Sequence, residues 1–343
     1  MTRLSGQSPS RRAVPSSLAV AIAAALVCAA GRLPAEQPAA AAPPDATVRD
    51  RLWIFTVLAG GDDDSLELGG IRGGSRMTPA EGAFWLGVPN LLLIRSHETP
   101  ALPGGQRWRA KTAFEQYAIS FQPLQRVIWS VVGSGGKGGM NELSPALELA
   151  RKYPNFTGIY LDDFIIDAKK QADGRVVGRP ALGPDEIARA KEQMRAVGRP
   201  MQTWVTLYTH EINPSRTIAS PAFRGCEPPL AGFLSLFDVL TLWTWNSDEL
   251  PCLKENLAAL EKIAPKGARI ALGLYIWDFH NRKPIPVELM EHQCKLGLEW
   301  LRDGRIHDMI FLANTVLDVG LPSAEFSRQW IQKVGDERLN RQP

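Results

Sequence analysis

Two aspartates, Asp162 and Asp163, stand side by side at the end of the run Phe156-Thr157-Gly158-Ile159-Tyr160-Leu161. The run follows a breaker pair, Pro154-Asn155, and is rich in β-prone residues. Along an extended strand Ile159 and Leu161 share one face, while Gly158, Tyr160 and Asp162 share the other. A strand that is apolar along its length and acidic at its tip presents carboxyl groups to whatever binds there. Adjacent strand residues point to opposite faces, so Asp162 is expected to be the inward one. Paired carboxyls in different surroundings, one protonated and one ionised, perform general acid–base work. Candidate carboxylates besides Asp162 and Asp163 are Glu98, Glu211 and Asp278.

Polar and aromatic side chains recur at the ends of other apolar runs. His97 and Glu98 follow the second; Tyr208, His210 and Glu211 close the fifth; Trp243 and Trp245 alternate along the sixth. Tyr275, Trp277 and Asp278 end the seventh, and Asn314 ends the eighth. Taken singly, each Trp or Tyr is as well explained by plugging a core. Taken together with several carboxylates they suit sugar recognition, because an aromatic face stacks on the apolar face of a pyranose ring. Tyr160, Tyr208, His210, Trp243, Trp245, Tyr275, Trp277, Asn314 and His97 are the expected substrate contacts.

These residues need a scaffold that brings distant strand ends together. Eight β-prone runs repeat along the chain: Leu52–Leu58, Asn90–Ser96, Val127–Val132, Phe156–Asp162, Gln202–Thr209, Val239–Trp245, Ile270–Trp277 and Asp308–Asn314. They recur about 30–40 residues apart and alternate with amphipathic stretches, as βα units do. Thr78-Pro79-Ala80-Glu81 carries a helix cap, an N1 proline and the glutamate of a capping box. Connections entering the strands are short; those leaving them are longer and polar, the asymmetry of a barrel with its site on one face. The expected fold is therefore α/β, a single (β/α)8 barrel over residues 51–337 followed by a tail at 338–343. An open doubly wound sheet is the rival, since sequence does not give strand order.

On these residues the chain resembles secreted TIM-barrel glycoside hydrolases, including the chitinase-like family 18 enzymes. That group carries Asp-Gly-x-Asp-x-Asp-x-Glu on its fourth strand. Gly158 and Asp162 match the motif, Thr157 and Tyr160 replace aspartates, and Phe164 stands where the proton-donating glutamate belongs. The resemblance implies the barrel and a carbohydrate substrate; it does not carry over the family's mechanism. The reading is a glycoside hydrolase using Asp162 with Glu98, Glu211 or Asp278. A metal-dependent sugar isomerase or hydrolase is the second reading, with His97-Glu98, His210-Glu211, Asp162 and Asp278 as ligands. A non-catalytic carbohydrate-binding barrel is the third.

Other features narrow the field. The chain has 343 residues, 45% hydrophobic and 22% charged, with a formal charge of +3, so nothing points to nucleic acid. There is no Gly-x-Ser-x-Gly elbow and no dinucleotide fingerprint, and no cofactor is expected. The glycine-rich Gly133–Gly139 lacks phosphate-loop spacing and reads as a flexible rim loop or lid. Asp62-Asp63-Asp64 lacks an EF-hand pattern and reads as a solvated loop. Residues 1–31 have the basic, apolar, small-residue order of a signal peptide, and 32–50 an Ala/Pro-rich linker, which implies a secreted or periplasmic protein with no spanning segment after cleavage. A Cys226–Cys252 bridge is conceivable there, with Cys294 buried in a helix. The oligomeric state is open.

Overall fold

The computed structural model describes residues 46–95, 110–172, 174, 176–212, 223–226 and 229–339. All eight apolar runs are parallel strands: β1 (Leu52–Thr56), β2 (Asn90–Leu93), β3 (Arg126–Gly133), β4 (Phe156–Leu161), β5 (Gln202–Tyr208), β6 (Val239–Trp243), β7 (Arg269–Tyr275) and β8 (Asp308–Leu312). Each pairs with the next in sequence, and β1 pairs with β8, Trp53 opposite Ile310, so the ring is closed. Closure excludes the open sheet. The residues assigned to the end of the linker are folded: Val48 is buried, and Ala46 accepts the backbone N–H of Leu339.

Seven helices of eight or more residues among the described residues pack outside: α1 (Pro79–Leu86), α2 (Ala110–Ser120), α3 (Met140–Lys152), α4 (Pro184–Arg195), α5 (Leu253–Ile263), α6 (Val287–Arg302) and α7 (Pro322–Val334). The capping box at α1 forms as expected. Glu81 N–H donates to Thr78 Oγ1, and Thr78 N–H donates to Glu81 Oε2 at 2.8 Å. None of these helices is long and apolar enough to cross a membrane.

Strand ends fall short of the sequence expectation because polar side chains capture the chain as it leaves the ring. Asn314 is the clearest case. Its Oδ1 accepts Val57 N–H at 3.0 Å and its Nδ2 donates to the Val57 and Met77 carbonyls. A side-chain amide thus replaces the ladder partner of β1, and the strand stops at Thr56.

The barrel interior is filled in layers, as close packing requires. At the bottom Trp53 and Trp204 lie 5.0 Å apart, the Trp53 indole N–H donates to Asp308 Oδ1 at 2.8 Å, and the Arg126 guanidinium sits 4.5 Å over the Trp53 ring. Above them Phe55 meets Trp243 and Tyr160 edge-on at 5.5 and 6.3 Å. Trp243 fits because β7 carries Gly273 beside it; a Cβ there would enter the indole ring. Gly273→Ala is therefore expected to cost about 1–3 kcal/mol of stability by overpacking, read as a lowered urea midpoint with an unchanged m-value.

Candidate active site

The strand tips of the barrel surround a cavity of about 160 Å³ on the C-terminal face. Its polar wall is Asp62, Asp162, Asp163, Ser134 and Tyr208; its apolar wall includes Phe55, Trp243, Trp245, Tyr275 and Phe279. Among the described residues no lysine or arginine lines it.

Asp162 and Asp163 both face this cavity, contrary to the expectation that neighbours diverge. β4 ends at Leu161, and Asp163 adopts a left-handed backbone with φ of 40°. That turn ends the strand alternation and swings the second carboxylate back toward the mouth. Asp163 Oδ1 accepts the Tyr208 hydroxyl at 2.5 Å, and its Oδ2 accepts the Gly135 backbone N–H at 2.6 Å. Burial pushes the Tyr208 hydroxyl well above its ordinary pKa, and the Asp163 charge pushes it further. Tyr208 therefore stays a donor.

Gly133–Gly139 forms a tight hairpin at the rim. Lys137-Gly138 pairs back onto the end of β3, and Gly135 and Gly136 take φ of 69° and 65° in the turn between. Two consecutive left-handed residues aim the Gly135 amide at Asp163, which explains the glycine run.

Asp162 is 4% exposed. Its Oδ1 lies 2.9 Å from Thr206 Oγ1, and Thr206 in turn touches the Tyr160 hydroxyl at 2.8 Å. Burial raises the Asp162 carboxyl well above its ordinary value, and the adjacent Asp163 charge adds to this. Tyr160 is fully buried below the cavity floor, with Thr241 and the Trp243 indole N–H as further partners at 2.9 and 3.0 Å. It belongs to the core layer and does not line the cavity.

Asp62 is the residue that the sequence reading passed over. It comes from the loop after β1 and lines the cavity, accepting a hydrogen bond from Thr315 Oγ1. Burial pushes its carboxyl up, and neighbouring Asp63 adds to this. Its two neighbours do other work: Asp63 accepts Ser75 N–H and Arg76, and Asp64 is exposed. The triplet is not a uniformly solvated run.

The remaining predicted residues divide. Trp243, Trp245, Tyr208 and Tyr275 line the cavity. His210 stacks on Tyr208 with ring centroids 5.4 Å apart and lies 6.4 Å from Trp245. Burial lowers its pKa to about 4, against the pull of Glu249, so it is neutral near pH 7. Trp277 is buried elsewhere, its indole N–H on Ser65 and its ring against Gly69, holding down the loop after β1. Asp278 clamps a loop by accepting bonds from Ser247 and Asn281. Burial pushes its pKa up, but those donors outweigh it and hold the carboxyl below its ordinary value. Asn314 is the β1 clamp described above. His97 and Glu98 lie outside the described residues.

Among the described residues no three His, Cys, Asp or Glu side chains gather as a metal site requires. Cys252 and Cys294 are free thiols, Cys294 buried in α6.

Glu211 follows β5, and its Oε2 accepts the Tyr208 N–H at 2.8 Å. Burial, with a contribution from Asp163, raises its pKa from 4.5 to about 8. The folded state then binds more protons than the unfolded state between those values, so stability falls as pH rises across that window. Glu211→Gln removes the titration; its melting temperature should decline less than that of the wild type over the same window.

No protein-family model matches the sequence, and no curated protein matches it. The fold is shared with solved structures at low identity. A putative α-L-fucosidase from Bacteroides thetaiotaomicron aligns over 84% of this chain and 98% of its own, with 13% identity and a TM-score of 0.51. A xylanase A from P. fluorescens subsp. cellulosa aligns over 82% and 96%, with 10% identity and a TM-score of 0.49. A β-amylase catalytic domain from Paenibacillus polymyxa covers 84% and 100%, at 10% identity and a TM-score of 0.45. The chain is a (β/α)8 barrel, a fold similar to that of the putative α-L-fucosidase.

Proposed function

We propose that this protein is a glycoside hydrolase that takes a single sugar ring into the barrel mouth. One observation carries the reading: a carboxylate with both oxygens held by donors, Asp163, shares an aromatic-walled cavity with a second, half-buried carboxyl, Asp62. Bond cleavage at an acetal carbon needs a protonated acid on the leaving oxygen and an anion or activated water on the opposite face. Asp62, pushed toward its protonated form by burial, serves as the proton donor. Asp163 serves as the anionic partner, oriented by Tyr208 and Gly135. As the C–O bond breaks, its electron pair goes to the leaving oxygen, which takes the Asp62 proton. The anomeric carbon is captured by Asp163 itself or by a water that gives Asp163 its proton.

The size of the cavity supports one ring. An apolar cavity of about 150 Å³ holds a benzene molecule, and this open one has about 160 Å³. Trp245, Tyr275 and Phe279 supply the faces on which a pyranose stacks. The basic, apolar, small-residue order at residues 3–31 supports export, which N-terminal sequencing of the mature protein would test.

The test is a panel of aryl glycosides and short oligosaccharides, with and without chelator. Hydrolysis insensitive to chelator is expected, with Asp163→Asn reducing kcat by about 10²-fold or more at unchanged melting temperature. Chelator-sensitive turnover would mark a metal enzyme, and binding without turnover a lectin-like barrel. The anomer first released, followed by NMR, tells whether Asp163 attacks directly or through water.

A further inference from the structure

The hydroxyls beneath the cavity form an unbranched chain of oxygen contacts: Asp162 Oδ1 to Thr206 Oγ1 at 2.9 Å, Thr206 to Tyr160 at 2.8 Å, Tyr160 to Thr241 Oγ1 at 2.9 Å, and Thr241 to the Val205 carbonyl at 2.7 Å. Trp243 adds an N–H to Tyr160, which consumes an acceptor position and supplies no hydrogen to the chain. The chain therefore has four contacts between oxygens, while its three hydroxyls carry three hydrogens. Each contact needs one hydrogen. If Asp162 were ionised, one pair of buried oxygens would face each other at under 3 Å with lone pairs only. No rotation of the hydroxyls removes that deficit, because it is a matter of number. A proton on Asp162 Oδ1 supplies the missing hydrogen and fixes one direction throughout: Asp162 to Thr206, Thr206 to Tyr160, Tyr160 to Thr241, Thr241 to Val205.

We propose that Asp162 is a neutral carboxylic acid in the resting protein, kept so by the Thr206–Tyr160–Thr241 chain, and that it reserves the negative charge of the pair for Asp163. The proton faces the barrel interior and not the cavity, so Asp162 is a positioning residue, not the donor to substrate. The left-handed backbone of Asp163, directly after it, aims the second carboxylate at the mouth. Burial and the neighbouring charge act in the same direction as the chain. Facing groups are few: Asp163 beside it, Tyr208 and Tyr275 across the mouth, and the chain below. The catalytic meaning of this arrangement rests on the glycosidase reading; the protonation itself does not.

The same count makes opposite predictions for two nearly isosteric variants. Thr241→Val leaves two contacts and two hydroxyl hydrogens, so the chain is complete without a proton on Asp162. Thr206→Val disconnects Asp162 from the chain and leaves the lower contacts complete, with burial alone acting on the carboxyl.

The experiment is the infrared difference spectrum of wild type minus Asp162→Asn, followed over pH in the absence of any substrate. A carboxylic-acid C=O stretch assignable to Asp162 is expected at neutral pH. In Thr241→Val, measured against the double variant with Asp162→Asn, the band should disappear at lower pH than in the wild type. In Thr206→Val it should persist at least as high. Absence of the band in the wild type at neutral pH overturns the proposal, even if neither threonine variant folds. Equal downward shifts in both variants also overturn it, since they would report loosened packing and not hydrogen counting. Should the glycoside panel show no turnover while the band behaves as expected, the functional reading falls and the protonation stands.

Discussion

A phenol in the middle of a barrel has to find partners for its hydroxyl, because no water competes there and an unpaired buried polar group costs on the order of 1–3 kcal/mol. Tyr160 meets that constraint with Thr206, Thr241 and Trp243, drawn from the two following strands. Much follows from it. The network fixes the register in which β4, β5 and β6 present their side chains, places the Trp243 ring under the cavity, and sets the floor on which Asp162 rests. In buried networks of this kind satisfaction has to be complete, since a partly satisfied one is worse than an apolar core.

Above that floor the electrostatics are one-sided. Among the described residues three carboxyls and no cation line the mouth. Burial is the main reason that Asp62, Asp162 and Glu211 are all raised, and a neighbouring carboxylate adds to it, Asp63 for Asp62 and Asp163 for Asp162 and Glu211. The neighbouring phenols of Tyr208 and Tyr275 respond in the same sense. Asp163 is the exception in its contacts. It alone has both oxygens engaged by donors from flanking strands, Tyr208 at the end of β5 and Gly135 in the hairpin after β3.

The barrel was legible in the sequence because strand periodicity and spacing are repeated eight times, and errors in any one end do not spoil the pattern. Strand ends were less so: where β1 stops depends on Asn314, 257 residues away. The importance of Gly158–Phe164 was legible from its acidic tip, and so were the cavity positions of Tyr208, Trp243, Trp245 and Tyr275. The second carboxylate was misplaced because alternation holds only while the chain is a strand, and the left-handed residue at Asp163 has no signature in residue type. Asp62 was hidden among two identical neighbours, and Trp277 and Asp278 were drawn into the site by residue type when their partners are loop atoms. The glycine run was noticed, yet its purpose needed the position of Asp163.

Asp62 and Thr315, bonded to each other, are 253 residues apart in the chain. Until β8 is added and docks against β1, the first of these carboxyls has no partner and no enclosing wall. A chain in which β8 has not yet docked thus lacks one side of its own pocket, whatever the state of the other strands. The pocket is therefore complete only once the turn after β8 has met the loop after β1.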